Sequence, residues 1–417
     1  VLFAGAYGVC NAGDDLPLIV MRRELERLAP EIDFDFRALA RFPADWEQAH
    51  YGVRMVRNLE FATRADSAGR WFRGLNPGDS PWPLLRLRAE FERADLVVLG
   101  AGNWITDLAL DLFRGPIPLL ALYVFLAQLH RVPVMLYGLS SIQLRRVWAQ
   151  DLTAWVVRTV DVATVRDRET FDHLSALAER GDIEQLPDPA LGGRPDPLAD
   201  AQSILRRALP DAGRARPIAI GVRALDRVLP ERECDRIREA LLEACRSLLE
   251  RHPIVFVPQC THPESDDRVE AAWYAERLGS SRVGLVEERL HPEALMAVYA
   301  ECSLMIAIRL HAAVFAVTVG TPTLAIDYLP KVGSFMKGLG LEADCLDPTT
   351  ISGPGLARRA QELIARPEPA REALAHRVAE KRARVRCYAE RALRLLGAAP
   401  TRGCHRVGPS SAVMAGG

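Results

Sequence analysis

Short apolar runs alternate along the chain with stretches whose apolar residues recur at helical spacing. Val1–Ala4, Ile32–Phe36, Asp95–Leu99, Pro133–Tyr137, Asp161–Val165 and Ile183–Leu186 have the length of buried strands and are too short for free helices. Leu16–Leu28, Pro116–His130, Ser140–Val157 and Glu169–Arg180 carry the helical rhythm between them, with Pro116 at a helix start and Ser140 or Ser141 as a cap. Residues 41–82, rich in tryptophan and arginine, show no clear period; they read as helices with an exposed loop at Asn76–Pro83. Prolines crowd Pro187–Pro217 around a short helical insert at Ala201–Ala208, and the alternation then restarts. Its strands are Pro217–Val222, Ile254–Pro258, Val283–Val286, Ser303–Ile308 and Thr323–Ile326, and its helices Glu231–Arg251, Asp267–Leu278 and Ala312–Val319.

Strand–helix alternation in two halves predicts an α/β protein of two Rossmann-like domains facing a central cleft. The expected division is a first domain over 1–190, a linker over 191–216, a second domain over 217–367, a C-terminal helix over 368–398 and a disordered tail over 399–417. The amphipathic Ala370–Leu396 segment is expected to pack back across the domains. A chain of 417 residues suits two cores, since single cores stop growing near roughly 250–300 residues.

Candidate chemistry collects where strands end, because an open parallel sheet binds ligands outside the carboxyl ends of its strands. Glu301–Lys337 is the densest such stretch. Arg309 and His311 follow one strand, and Asp327, Tyr328 and Lys331 follow the next. If that segment is extended, Arg309 and His311 project to the same side. A helix N-terminus lowers the pKa of a histidine and a bound phosphate dianion raises it, so His311 is expected near neutrality as a general acid. Arg166 and Asp167 end the Asp161–Val165 strand; Arg166 serves either as an anion fork or as part of a helix cap. In the first loop, Gly5, Gly8 and Gly13 make either an anion site or a tight turn, with Asn11 and Asp14 placed to hold sugar hydroxyls. Gly100, Gly102 and Asn103 form a second turn, for close approach of a ligand or of a neighbouring strand. Neither loop has the spacing of a dinucleotide or Walker fingerprint. His262, in PQCTHPES, reads as a surface-loop residue.

Composition narrows the field. Net charge is −1, which argues against nucleic acid as a partner. The eight cysteines are scattered without a CxxC pair, an arrangement that suits a reducing, cytoplasmic compartment and predicts no metal site. Ile117–Leu129, the longest apolar segment, is too short to span a bilayer, which leaves peripheral contact with the inner membrane face open. The chain opens inside an apolar stretch without a methionine, so residues are expected ahead of Val1. Only Lys331, Lys337 and Lys381 are lysines among 53 basic residues, which reads as a coding bias.

GAYGVCNAGDD, ADLVVLGAGNWITD, VRDRETFDHL, LPDPAL and RLHAAVFAVTVGTPTLAIDYLPKVGSFMKGLGL stand in an order and spacing that resemble the polysaccharide pyruvyl transferases. The resemblance runs to about Asp344 and is most specific at Arg309-Leu310-His311, Gly320-Thr321-Pro322 and Tyr328 to Lys331. It implies a GT-B-like fold and transfer of the enolpyruvyl group of phosphoenolpyruvate onto two hydroxyls of a saccharide or glycolipid, as a cyclic ketal. It further implies Arg166 and Arg309 as anion grips, Lys331 as a third, His311 as proton donor, and no cofactor. Where the family commonly has three glycines, this chain has Gly100-Ala101-Gly102 followed by Asn103 and Trp104, a departure that bears on the acceptor. Two other readings stay open: a GT-B glycosyltransferase with Glu342 or Asp344 on a nucleotide ribose, and an inactive saccharide-binding relative.

Overall fold

The computed structural model describes residues 1–63, 65–107, 115–213, 215–226 and 228–398. The tail expected over 399–417 lies outside them. Two parallel sheets organise the chain. In the first, β1 (Leu2–Tyr7), β2 (Arg37–Ala40), β3 (Arg54–Arg57), β4 (Val97–Ile105), β5 (Val134–Ser141), β6 (Val162–Val165) and β7 (Glu184–Gln185) stand in the order β3-β2-β1-β4-β5-β6-β7. In the second, β8 (Ile218–Gly221), β9 (Ile254–Phe256), β10 (Val283–Leu285), β11 (Leu304–Ala307), β12 (Thr323–Ile326) and β13 (Cys345–Leu346) stand in the order β10-β9-β8-β11-β12-β13. In each sheet the order in which the chain adds its parallel strands reverses once, between β1 and β4 and between β8 and β11, and the loops leaving those strands diverge to open a crevice. These are two Rossmann-like domains in the GT-B arrangement.

Burial on both faces explains why the strands read as uninterrupted apolar runs: every residue of β8, β11 and β12 is buried. The core is continuous between the halves. One apolar cluster runs from Phe3 and Tyr7 through Leu16 and Val20 of the first helix into Met296, Phe315 and the second sheet. A separate cluster covers the other face of the first sheet. The helix Glu368–Leu395 returns from the second domain to the first. There the Tyr388 hydroxyl donates to the Pro187 carbonyl at 2.9 Å, the ring meets Tyr137 edge-on, and Arg391 pairs with Glu184 at 2.9 Å.

Several local expectations need correction. The second strand begins at Arg37, after the expected Ile32–Phe36. Phe34 and Phe36 stack on each other, and Phe36 also meets Phe3, so that alternation marks an aromatic plug beneath the sheet. Gly100–Asn103 is no turn, because β4 runs through it and pairs with β5 from Val97 to Ile105. A Cβ at Gly100 would stand 2.2 Å from the Tyr137 carbonyl, and its φ of +137° is one that glycine tolerates, so the glycine lets two strands close up. Ser140 and Ser141 end β5 and cap no helix; the next helix starts at Val147. The Ser140 hydroxyl instead donates to Asp167 at 2.7 Å, and the Ser141 amide donates to Thr170 at 2.8 Å. Within 41–82, the strand β3 follows a short helix, Asp45–Tyr51.

Candidate active site

The crevice between the domains contains a cleft of about 310 Å³ whose walls come from both sheets. Asn11 and Asp14 descend from β1, Asn103 and Trp104 from β4, and Arg166 from β6. Arg309 and His311 rise from β11, and Tyr328 and Lys331 from β12.

Backbone pairing seats the first loop. Asn11 and Cys260 form an antiparallel bridge, the Ala12 amide donates to Gln259 at 3.0 Å, and the Thr261 amide donates to Cys10 at 2.9 Å. A loop of the first domain is thereby fixed to the segment leaving β9 in the second. Asn11 then caps the helix Ala12–Leu28 through the Gly13 amide at 3.2 Å, and its Nδ2 donates to Asp14 at 2.6 Å. Gly13 itself faces His311: a Cβ there would stand 2.2 Å from the imidazole Nδ1.

Arg309 is the extended residue before the helix Leu310–Thr318, and His311 lies in that helix's first turn. The two side chains therefore do not share the single extended segment expected from their spacing. Arg309 is buried and donates to Asp267 at 2.5 Å. Burial lowers its pKa, but the Asp267 carboxylate more than compensates, so the guanidinium is held charged. Asp267 is fixed in turn by the Gln259 and Cys260 amides at 3.1 and 2.9 Å. Arg166 is anchored in the same manner, through Nη1 to Asp188 at 3.0 Å and Nε to Ser140 at 2.6 Å. A buried arginine with a hydrogen-bonded carboxylate keeps its position with little rotamer freedom, which pre-organises the remaining N–H groups.

The Arg166 Nη1 also lies 3.4 Å from the His311 Nε2. An arginine only donates, so Nε2 is the acceptor and the resting imidazole is neutral. Burial drives its pKa down to about 3; Asp188 opposes this, while Arg166, Lys331 and Arg309 add to it. The ligand-free histidine is accordingly neutral, and the near-neutral value expected from sequence belongs to the state with a phosphate dianion beside it. Burial raises Asp14, against the pull of Lys331, Arg166 and Arg309, and lowers Lys331, against Tyr328. Burial raises Tyr328 too, but Lys331, Arg223 and Arg309 together outweigh it and bring the phenol below its ordinary value. Arg223, just past β8, donates to the Tyr328 hydroxyl at 2.8 Å and lies over its ring.

Eight of the residues singled out from sequence thus share one cleft: Asn11, Asp14, Asn103, Arg166, Arg309, His311, Tyr328 and Lys331. Gly8, Gly13, Gly100 and Gly102 are not among its lining residues. Gly8 packs on Ala40 and donates its amide to Asp15 at 3.2 Å, and Gly102 backs Asp14. Sequence reasoning missed Gln259, Arg223, Asp188 and Asp267. Asp188 and Gln259 stood in quoted runs, LPDPAL and PQCTHPES, whereas Arg223 and Asp267 take their places through contacts remote in sequence. His262 stands in a partly exposed loop against Phe42. Asp344, considered above for a ribose, is instead buried between Arg359 and Arg366 at 2.6 and 2.8 Å.

A family model described as polysaccharide pyruvyl transferase matches residues 11–330. No curated protein matches the sequence. Among solved structures, Anabaena HepE in complex with UDP is 13% identical, covers 95% of this chain and 99% of its own, and superposes with a TM-score of 0.57. S. aureus MnaA with UDP is 12% identical, with coverages of 97% and 99% and a TM-score of 0.56. The Methanocaldococcus jannaschii UDP-GlcNAc 2-epimerase, with UDP-GlcNAc and UDP, is 9% identical, with coverages of 91% and 98% and a TM-score of 0.54. At such identities the likeness speaks for the fold alone.

Proposed function

The chain belongs to the polysaccharide pyruvyl transferase family, and on that basis we propose that it moves the enolpyruvyl group of phosphoenolpyruvate onto two hydroxyls of a saccharide. The product is a cyclic pyruvate ketal, and inorganic phosphate is released. The observation that carries this reading is the convergence of Arg166, Arg309 and Lys331 on one histidine from opposite domains. A donor with a carboxylate and a phosphate needs two cationic grips and a proton carrier, and a nucleoside would want a flat apolar slot instead.

In the reaction, the donor methylene carbon takes a proton, and the central carbon becomes an oxocarbenium-like electrophile. One sugar hydroxyl adds to it and loses its proton. The C–O bond to phosphate breaks, the second hydroxyl adds, and the ring closes. Of the two hydroxyl protons, one balances the new methyl group and the other leaves on phosphate. His311 starts neutral, so it gains its proton as the donor dianion enters beside it and reverses the effect of burial. Arg166 and Arg309, already immobilised by Asp188 and Asp267, hold the donor's anionic groups as charge shifts to the leaving phosphate. Lys331 supplies a further point charge, and Asn11, Asp14, Asn103 and Tyr328 orient the acceptor. The scheme uses no cofactor.

No helix among the described residues is long and apolar enough to cross a membrane. We propose the cytoplasm as the place of the reaction on the separate ground of the free, scattered cysteines, and a lipid-linked acceptor at the inner membrane face would be accessible there.

Mass spectrometry of a glycan panel incubated with the protein and phosphoenolpyruvate tests the reading. The expected outcome is a pyruvyl adduct on one acceptor class, with phosphate released only when that acceptor is present. His311→Ala should lower turnover by about 10²–10⁴-fold, the usual worth of a positioned acid–base group. Full activity in that variant would remove His311 from the scheme.

A further inference from the structure

A second cavity, of about 390 Å³, adjoins the cleft and shares Arg166 and Lys331 with it. Three parts of the chain enclose it: the β6–β7 region of the first domain, the helix Pro330–Lys337, and the C-terminal helix Glu368–Leu395. Every lysine of the protein (Lys331, Lys337 and Lys381) lines this space. Elsewhere the chain uses arginine for its basic residues, and many of those arginines are paired with carboxylates. Among the described residues, none of the three lysines forms an ion pair or donates a hydrogen bond.

The acids of the same wall are already engaged. Asp167 accepts from Ser140 and the Thr170 amide, Glu169 from Ser334 across the domains at 2.8 Å, and Asp188 from Arg166 and the Ala190 amide. Those neutral donors leave Asp167 and Glu169 charged, but the lining carries five cationic side chains (Arg166, Arg168, Lys331, Lys337 and Lys381) against three carboxylates, an excess of positive charge. Burial lowers the pKa of Lys331 and of Lys381, so each ammonium gains from an incoming anion. Ammonium groups around a roomy cavity suit a phosphate as point charges, where a guanidinium fork would impose one geometry.

We propose that this cavity is a second anion site, built for the phosphate or diphosphate group of a ligand and occupied together with the donor cleft. Simultaneous occupancy rests on the donor reading given above; the anion site itself does not.

Calorimetric titration of inorganic pyrophosphate into the full chain, first alone and then with saturating phosphoenolpyruvate, tests it. One pyrophosphate site is expected in both conditions. Its affinity should fall about tenfold or more in Lys337→Gln/Lys381→Gln, through loss of two charge-assisted contacts, and should weaken with added salt. The same variant should keep its phosphoenolpyruvate affinity within about twofold and its thermal midpoint near that of the parent, since Lys337 is exposed and Lys381 half-buried. No pyrophosphate binding, binding that vanishes once the donor is present, or equal affinity in the variant overturns the proposal. Inorganic phosphate and glucose 1-phosphate, titrated side by side, separate two sources of the group. Tighter binding of the sugar phosphate assigns the site to a phosphorylated acceptor, and tighter binding of inorganic phosphate assigns it to the group released by the reaction. If phosphoenolpyruvate itself fails to bind, the donor reading falls, while the lysine dependence of pyrophosphate binding still decides this one.

Discussion

Gly13 and His311 meet across the interdomain crevice with no room for a methyl group between them. Gly13→Ala would place a carbon 2.2 Å from Nδ1, so the imidazole must leave its present position beside Arg166. A displacement of about 1 Å at a catalytic group costs on the order of 10²-fold in rate. The expected result is a loss of turnover of that size with the circular dichroism spectrum unchanged, and a fully active variant would show that the ring tolerates another position. The same histidine leaves a mark on stability. Its pKa is about 3 in the folded chain, against an ordinary value of 6.5. Between those values the unfolded chain binds more protons than the native one, so this contribution to stability rises with pH through that window and is flat above it. Urea unfolding of parent and His311→Gln should therefore show a stability difference that moves in the parent's favour from about pH 4 to 6.5 and is constant beyond. A pH-independent difference would mean that the imidazole titrates normally.

At the scale of elements, the chemistry depends on strands continuing where glycine suggests a stop. β4 carries Gly100 and Gly102 within its pairing to β5 and so delivers Asn103 and Trp104 to the cleft. Gly100→Ala would drive a carbon to 2.2 Å from the Tyr137 carbonyl. The rigid backbone on both sides cannot give way, and the cost should exceed about 4 kcal/mol, read as a large drop in thermal midpoint or as insoluble protein. This element also marks the limit of what was legible. Buried parallel strands announce themselves as apolar runs, so β8, β11 and β12, with the residues that follow β11 and β12, were readable from pattern alone. Gly100 was visible as a glycine, but its partner is a carbonyl on a neighbouring strand, which no local pattern encodes. Asp267 and Arg223 escaped for the same reason. Asp267 looks like one more acid in the first turn of a helix, and Arg223 like one more basic residue after a strand, until the fold brings Arg309 and Tyr328 against them.

Across the whole molecule, the two domains share an apolar core and are held in register at the floor of the crevice by main-chain bonds between 10–12 and 259–261. Those bonds belong to the peptide units, so the side chains at these positions can vary without loosening the joint. Alanine scanning would consequently pass over the fastening that aligns the two half-sites. Proline is the substitution that exposes it. Thr261→Ala keeps the amide that donates to Cys10 and should be near neutral, whereas Thr261→Pro removes it and should raise KM for donor and acceptor together by about tenfold. Equal kinetics in the two variants would mean that the joint is redundant. The half-sites are thus matched by a feature that side-chain identity does not record, and the side chains of the joint can change while the relative placement of Arg166 and His311 stays fixed.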